Sequence, residues 1–379
     1  EGFGQKFMNV EAGVRASTSH AYLRSARRRA NLTVFKRALV TGITFDGKTA
    51  TGIKCQMKGR EKTFVAKREV ILCAGAIGSP QLLQVSGVGS KAVLNKAGIE
   101  MVHELPGVGE NLQDHLEFNF QYNCKQPISL NGSLGLFSKA LIGLRWLLFK
   151  TGLGRSNHFE SCAFIRSRAG VKWPDIQYHF LPGAVTYDGS VAFKGHGFQV
   201  HVGHNKPTSR GHVHALSGDI KQHPEILFNY LQTEHDRQGF RDCVHLTREI
   251  MCQPAMDEFR GDVIQPDPQV QTDEQIDAFV RESVDSAYHP AGTCKIGADN
   301  MAVVDKDLRV HGIANLRVID SSVFPTVPNG NLNAPTMMLA ERGSDLIKGC
   351  DIKPSSPADN YIDKQWQERQ KEGVPLRPA

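Results

Sequence analysis

Two short stretches of this chain carry side chains suited to acid–base chemistry. In SAYHPAGTCKIG (286–297), His289 is followed by Pro290 and Gly292, which pin the local backbone and keep Cβ bulk away from whatever lies against it. An imidazole titrates near neutral pH, so one held in this way can accept a proton from a substrate. In LRVIDSSVFPTVPNGNLNAPT (316–336), Asn331 offers an amide that can hydrogen-bond the same oxygen. Each motif alone is most often just a turn, and it is the two together that point to chemistry.

These residues need elements to carry them. The apolar run Leu316 to Ile319 reads as a buried strand, with Asp320, Ser321 and Ser322 at its carboxyl end, where α/β folds bind their ligands. Pro335 suits the first turn of a helix through Met337, Met338, Leu339, Leu346 and Ile347 that stops at Gly349. Its amino end, just after Asn331 and Asn333, would present free N–H groups and favour an anion.

Earlier in the chain, Ser17 to Ser19 would cap a helix over 21–30. Strands are expected at Leu32 to Phe35 and Ala38 to Phe45, an Asp46-Gly47 hairpin follows, and further strands at 52–57 and 63–66 complete a small antiparallel sheet. Val70 to Ala74 is a short buried strand leading into GAIGSPQLLQVSGVG, where Ser79 would cap and Pro80 open a helix. Gly87, Gly89 and Ala92 form a GxGxxA, but it follows a helix instead of a strand and is rejected as a dinucleotide fingerprint. From about 125 to 285 the period-two stretches 174–181, 197–202 and 211–216 predict a mostly antiparallel sheet covered by helices, with 134–149, 244–251 and 273–284 helical. Thr272 and Gln275 stand in capping-box positions. Residues 351–379, rich in Pro and charge, read as a peripheral tail.

Composition narrows the function classes. In 379 residues, 45 Lys and Arg against 39 Asp and Glu give a formal charge of +6, but the basic residues are scattered apart from Arg24 and Arg27 to Arg29, which suit a solvated face better than a nucleic-acid surface. The eight cysteines form no CxxC pair, which argues against a zinc site or disulfide framework. Histidines 196, 201, 204, 212 and 214 invite a metal, but no Cys or carboxylate nearby in sequence completes a ligand set, so no metal is expected. No uncharged apolar run is long enough to span a membrane.

GAIGSPQLLQVSGVG (75–89), LPGVGENLQDH (105–115), HPAGTCKIG (289–297) and NGNLNAPT (329–336), in this order, resemble the glucose-methanol-choline (GMC) family of FAD oxidoreductases, and the choline-oxidising members above all. The likeness runs over almost all of 13–349 and is weakest across 126–158. It implies an α/β and α+β architecture: an incomplete, Rossmann-like FAD-binding domain from 1–124 and 286–350, and a substrate domain from 125–285. It places His289 and Asn331 on the family's catalytic pair and assigns cofactor contacts to Val40, Ala74, Gly75, Asp320, Ser321, Leu332 and Asn333. Val40 fits equally well as a plain core valine. Glu160, in HFESCAFIR, matches the carboxylate that faces a trimethylammonium group, and a surface salt bridge is the alternative.

The implied reaction is oxidation of choline to betaine aldehyde with hydride transfer to FAD, a quinone or other electron acceptor, and a mitochondrial inner-membrane or bacterial membrane-associated setting. Another alcohol, a sugar or a long-chain one, is the alternative substrate. The family's GxGxxG segment does not occur near Glu1, so the chain is expected to be the carboxyl-terminal part of a longer protein. By itself it is expected to bind little FAD, and a catalytically silent fragment is the alternative to an active enzyme.

Overall fold

The computed structural model describes residues 1–159, 161–185, 195–350, 362 and 364–370. In chain order its main elements are β1 (Gly2–Gln5), β2 (Ala38–Asp46), β3 (Thr49–Met57), β4 (Arg60–Val65), β5 (Val70–Leu72), α1 (Gly75–Val85), β6 (Leu116–Cys124) and α2 (Leu136–Phe149). There follow β7 (Ser161–Ile165), β8 (Ile176–Leu181), β9 (Gly197–His204), α3 (Glu234–Met251), β10 (Arg260–Gln265), α4 (Asp273–Ser283), β11 (Leu316–Val318) and α5 (Asn333–Lys348).

Two separate apolar cores organise these elements. The first joins Ile43 of β2, Leu72 of β5, Leu82 and Leu83 of α1, and Leu316 and Val318 of β11. Here β5 and β11 pair in parallel, Val70 opposite Leu316 and Leu72 opposite Val318, although 246 residues separate each pair. The strands β2, β3 and β4 form an antiparallel meander beside them, turning at Gly47, whose φ of 53° is a conformation that glycine adopts without strain.

The second core lies under an antiparallel sheet ordered β1-β7-β8-β9-β6-β10, with Asp285–Ser286 also pairing with the start of β6. Phe118 and Phe120 of β6, Ile176 of β8 and Val202 of β9 are buried against Phe240 and Leu246 of α3 and Ile276 of α4. Alternation explains the register: the odd partners Asn119, Gln121 and Gln199 point to the opposite face, where they too are buried, among polar groups. That second face forms the ceiling of the site. The capping box read at Thr272 and Gln275 opens α4 as expected.

Local readings differ from the structure in three places. Leu32 to Phe35 is not a strand, and residues 19–26 form only short, exposed helical turns; Tyr22, Leu32, Val34 and Phe35 stay exposed, so burial fixes neither element. The first-core helix begins at Gly75 instead of Ser79, because Ser79 turns inward to donate to Asp320. Pro80 therefore sits inside α1 and has no N–H for the carbonyl of Ala76. Thr293 Oγ1 donates to that carbonyl instead, at 2.6 Å. A proline that usually weakens a helix thus provides a docking point for the loop carrying His289.

Candidate active site

His289 stands in a loop stitched on two sides. On one, Gln113 and Ala291 exchange backbone hydrogen bonds at 3.0 and 2.9 Å, and Ala287 N donates to His115 O. On the other, Gly292 N and Cys294 N donate to the carbonyls of Ser321 and Ser322, which follow β11. Asp114 fixes the histidine's own backbone: its carboxylate accepts from His289 N at 2.8 Å, Ser286 Oγ at 2.6 Å and Tyr230 Oη at 2.7 Å. Burial pushes this carboxyl up by more than those three hydrogen bonds pull it down.

Asn331 arrives from the other motif, two residues before α5. A third, small apolar cluster of Ala291, Val327 and Leu332 fastens the two loops to each other, and Gln113 joins them again by accepting from Val327 N and donating to the carbonyl of Pro325. As a result Asn331 Nδ2 lies 3.4 Å from His289 Nε2. The amide is oriented by Gln177, whose Nε2 donates to Asn331 Oδ1 at 3.0 Å, leaving the amide N–H groups for the histidine side.

Burial lowers the pKa of His289, and Lys6 adds to this. The carboxylates of Asp114 and Glu117 act the other way without cancelling it. The imidazole is therefore neutral at pH 7 and able to take a proton, with two negative groups nearby to stabilise the product. Burial would raise Glu117, but the hydrogen bond from His201 and the surrounding imidazoles outweigh it and hold this carboxyl below its usual range. Around it stand the rings of Phe159 and His201, 5.1 Å apart and edge-on, with Lys6 Nζ 3.0 Å from His179 Nδ1.

The cofactor assignments fare variously. Val40 and Ala74 line one cleft of about 650 Å³ beside β5. Gly75, at φ 79°, has nothing within 4 Å of where a Cβ would stand, so a flat ligand can approach its backbone. Asp320 does not point its carboxylate at open space: one oxygen accepts from Gly75 N and Ser79 Oγ, the other from Ser322 N. Ser321 holds the His289 loop through its carbonyl, and the Leu332 side chain is buried in the small cluster, so only its backbone is available to a ligand. Asn333 is exposed at the start of α5. Glu160 lies outside the described residues.

The residues that position the pair but carry no motif of their own are Asp114, His115, Gln113 and Gln177. The first three belong to LPGVGENLQDH, readable only as a connecting loop, and Gln177 is one polar position in a strand. The fold also supplies what the metal argument lacked: Glu110, 104 residues from His214, comes within 2.6 Å of it, and the ligand atoms of Glu110, His212 and His214 all lie within 4.8 Å of one another. In this structure Glu110 is hydrogen-bonded to His214, and Lys96 Nζ stands 3.9 Å from the neighbouring Glu225, a cation already at the edge of the cluster.

The buried histidines make stability acid-sensitive. Burial holds both His115 and His179 at about 3, against about 6.5 in an unfolded chain. Below pH 6.5 the unfolded state gains protons that the folded state refuses, so stability is complete above that pH and is lost as pH falls toward 3. Each group contributes a slope of about 1.4 kcal/mol per pH unit. Urea midpoints should fall between pH 6.5 and 5, and His179→Asn should flatten the fall; a midpoint unchanged over that range would contradict the burial of these rings.

Sequence profiles described as GMC oxidoreductase match residues 1–117 and 207–340. The oxygen-dependent choline dehydrogenase of Photobacterium profundum is 59% identical over 380 residues, covering 100% of this chain and 67% of that protein. The chain belongs to the GMC oxidoreductase family. The protein of the same description from Vibrio vulnificus is 58% identical, covering 100% of this chain and 68% of that one. Among solved structures, pyridoxine 4-oxidase from Mesorbium loti superposes with a TM-score of 0.80 at 27% identity, over 92% of this chain and 64% of that one. A formate oxidase from Aspergillus oryzae gives 0.85 at 22% identity, over 92% and 66%, a likeness of fold alone. This GMC chain therefore spans about two thirds of the length of the relatives it matches. The mitochondrial setting is overturned: the choline dehydrogenases that it resembles are bacterial, from organisms without mitochondria.

Proposed function

We propose that this chain carries the active site of an FAD-dependent enzyme that oxidises the primary alcohol of choline to betaine aldehyde. The observation that carries the reading is the meeting of His289 Nε2 and Asn331 Nδ2, a proton acceptor and an N–H donor 3.4 Å apart, from motifs 42 residues apart in sequence. An alcohol oxygen placed between them donates its proton to one and accepts a hydrogen bond from the other.

The residues present fit parts of an FAD, with Val40 on the side that the resemblance gives to the adenine. Val40 and Ala74 line the cleft, Gly75 leaves its backbone open, and Asp320 acts indirectly by holding Gly75 N. Backbone N–H groups at Leu332 and Asn333, at the amino end of α5, offer partial positive charge to an anion. Bound FAD supplies the hydride acceptor. His289 takes the hydroxyl proton, Asn331 steadies the developing alkoxide, and Asp114 and Glu117 stabilise the imidazolium that results.

For the cationic end of the substrate, Glu160 is the carboxylate that the resemblance offers, and the rings of Phe159 and His201, beside Glu117, offer aromatic surface. A quaternary amine has no N–H to donate and is held in this way. Assay of the FAD-loaded protein with choline, a sugar and a long-chain alcohol should show choline strongly preferred. Glu160→Gln should raise KM for choline about tenfold or more without affecting uncharged alcohols; equal loss on all substrates would remove Glu160 from cation binding.

The electron acceptor in this reading is a quinone reached at a membrane surface. No helix among the described residues is long and apolar enough to cross a membrane. Yet α2 buries none of its residues and exposes Leu136, Phe137, Leu144, Leu147, Leu148 and Phe149, which suits shallow contact with lipid. Flotation with anionic vesicles should carry the protein, and Leu147→Glu with Phe149→Glu should release it; protein left at the bottom of the gradient would exclude this contact.

A further inference from the structure

We propose that His115 is a positioning residue that fixes the tautomer of His289 and so turns the basic nitrogen toward the substrate. The inference rests on the alcohol-oxidising reading of the His289–Asn331 pair and adds to it a residue outside both motifs.

The donors and acceptors around His115 form a chain that can run in only one direction. His115 is buried, 3% exposed, at the end of the loop that leads into β6. Its Nε2 lies 3.2 Å from the backbone carbonyl of Asn205. A carbonyl oxygen can only accept, so the proton of the neutral ring is on Nε2. Burial and the repulsion of His289 hold the His115 pKa at about 3, so the ring carries no second proton and Nδ1 is a bare lone pair. That lone pair faces His289 Nδ1 at 3.0 Å. Two lone pairs would repel at this distance, so His289 Nδ1 must carry the hydrogen. In a neutral imidazole this leaves Nε2 unprotonated, and Nε2 is the atom that faces Asn331.

Both ends of the relay are anchored. Asn205 N donates to the carbonyl of Asp175 at 2.7 Å, which fixes the terminal carbonyl, and His115 O accepts from Ala287 N, which ties the relay to the loop of His289 itself. The two imidazoles meet nearly perpendicular, at 89°, so the ring edge of one approaches the other. A neutral acceptor also differs from a carboxylate in what it does to basicity. A carboxylate at this position would select the same tautomer but add a full negative charge against the ring and raise its pKa. A buried neutral imidazole selects the tautomer and leaves His289 unprotonated at pH 7, as a base requires.

Nitrogen-15 NMR of the FAD-loaded protein labelled at histidine, at pH 8 and without substrate, reads the tautomer directly. In the native sequence His289 should show a protonated Nδ1 and an unprotonated Nε2. His115→Leu removes the acceptor and should move the His289 proton to Nε2, the ordinary preference of the side chain. His115→Asn sets a carbonyl oxygen where Nδ1 stood and should restore the native pattern. His115→Gln, reaching the Asn205 carbonyl but not His289, should fail to restore it and serves in place of the Leu variant if that one does not fold. Anaerobic flavin reduction by saturating choline should fall roughly 10- to 100-fold in the Leu and Gln variants with KM little changed, and recover in the Asn variant. A native His289 protonated on Nε2, or a tautomer unmoved in both the Leu and Gln variants, would overturn the proposal. If the native protein oxidises neither choline nor another alcohol, the functional reading fails, while the NMR pattern still decides the role of His115.

Discussion

His289→Ala in the full-length, FAD-loaded protein is expected to lower the rate of flavin reduction by choline by roughly 10²- to 10⁴-fold while flavin content stays near native. The magnitude is that of losing a positioned general base. Retention of flavin follows from where the residue is held: Asp114 grips the backbone N–H of residue 289, an interaction that alanine keeps, and the His289 side chain does not line the cleft of Val40 and Ala74. The loop should therefore survive while the chemistry fails. Since burial lowers the pKa of His289, native kcat/KM should rise with pH to a plateau, with its midpoint below 6.5. Rapid-mixing measurements of flavin bleaching give both results. An unchanged reduction rate in the alanine variant would remove His289 from the mechanism.

The second large effect is expected from a residue that touches no substrate. Gly292 has φ 93°, and a Cβ there would stand 2.7 Å from the carbonyl oxygen of Asn111 and 2.8 Å from the amide nitrogens of Asn111 and Gln113. Those groups cannot easily give way: Asn111 Nδ2 donates to the carbonyl of Gly292, and Gln113 ties the loops of His289 and Asn331 together. Gly292→Ala must shift the loop, and displacement of a reacting group by about 1 Å costs on the order of 10²-fold in rate. The strained φ adds a stability loss of about 1–3 kcal/mol. Thermal unfolding and flavin reduction should fall together, and native values of both would show that the loop is far more pliable than its contacts imply.

These effects also show what could be read from the sequence alone. His289 and Asn331 were legible because each sits in a short motif with its own turn residues, and α5 because a proline opens it and a glycine closes it. The partners of that pair were not. His115 and Asp114 lie 174 and 175 residues from His289, and Gln177 lies 154 from Asn331; only sheet register and loop stitching bring them in. Nothing local marks a histidine at the end of ENLQDH as the neighbour of another. Glu110 was missed beside His214 for the same reason.

Elsewhere local signals pointed the wrong way. Ser79-Pro80 has the composition of a helix start, but the buried carboxylate of Asp320, 241 residues away, draws the serine inward and lets the helix begin earlier. The apolar spacing of 134–149 does give a helix, as expected, yet none of its residues is buried. Propensity determines that a segment is helical, and tertiary context determines what its apolar side faces.

The central claim, that His289 and Asn331 act on one substrate oxygen, is tested most directly by a double-mutant cycle. Flavin reduction by choline would be measured in the native protein, His289→Ala, Asn331→Ala and the double variant. Groups that share an oxygen should be strongly non-additive, the double variant reacting little more slowly than His289→Ala alone. Losses that simply multiply would mean that the two side chains act independently, and the shared site described here would be contradicted.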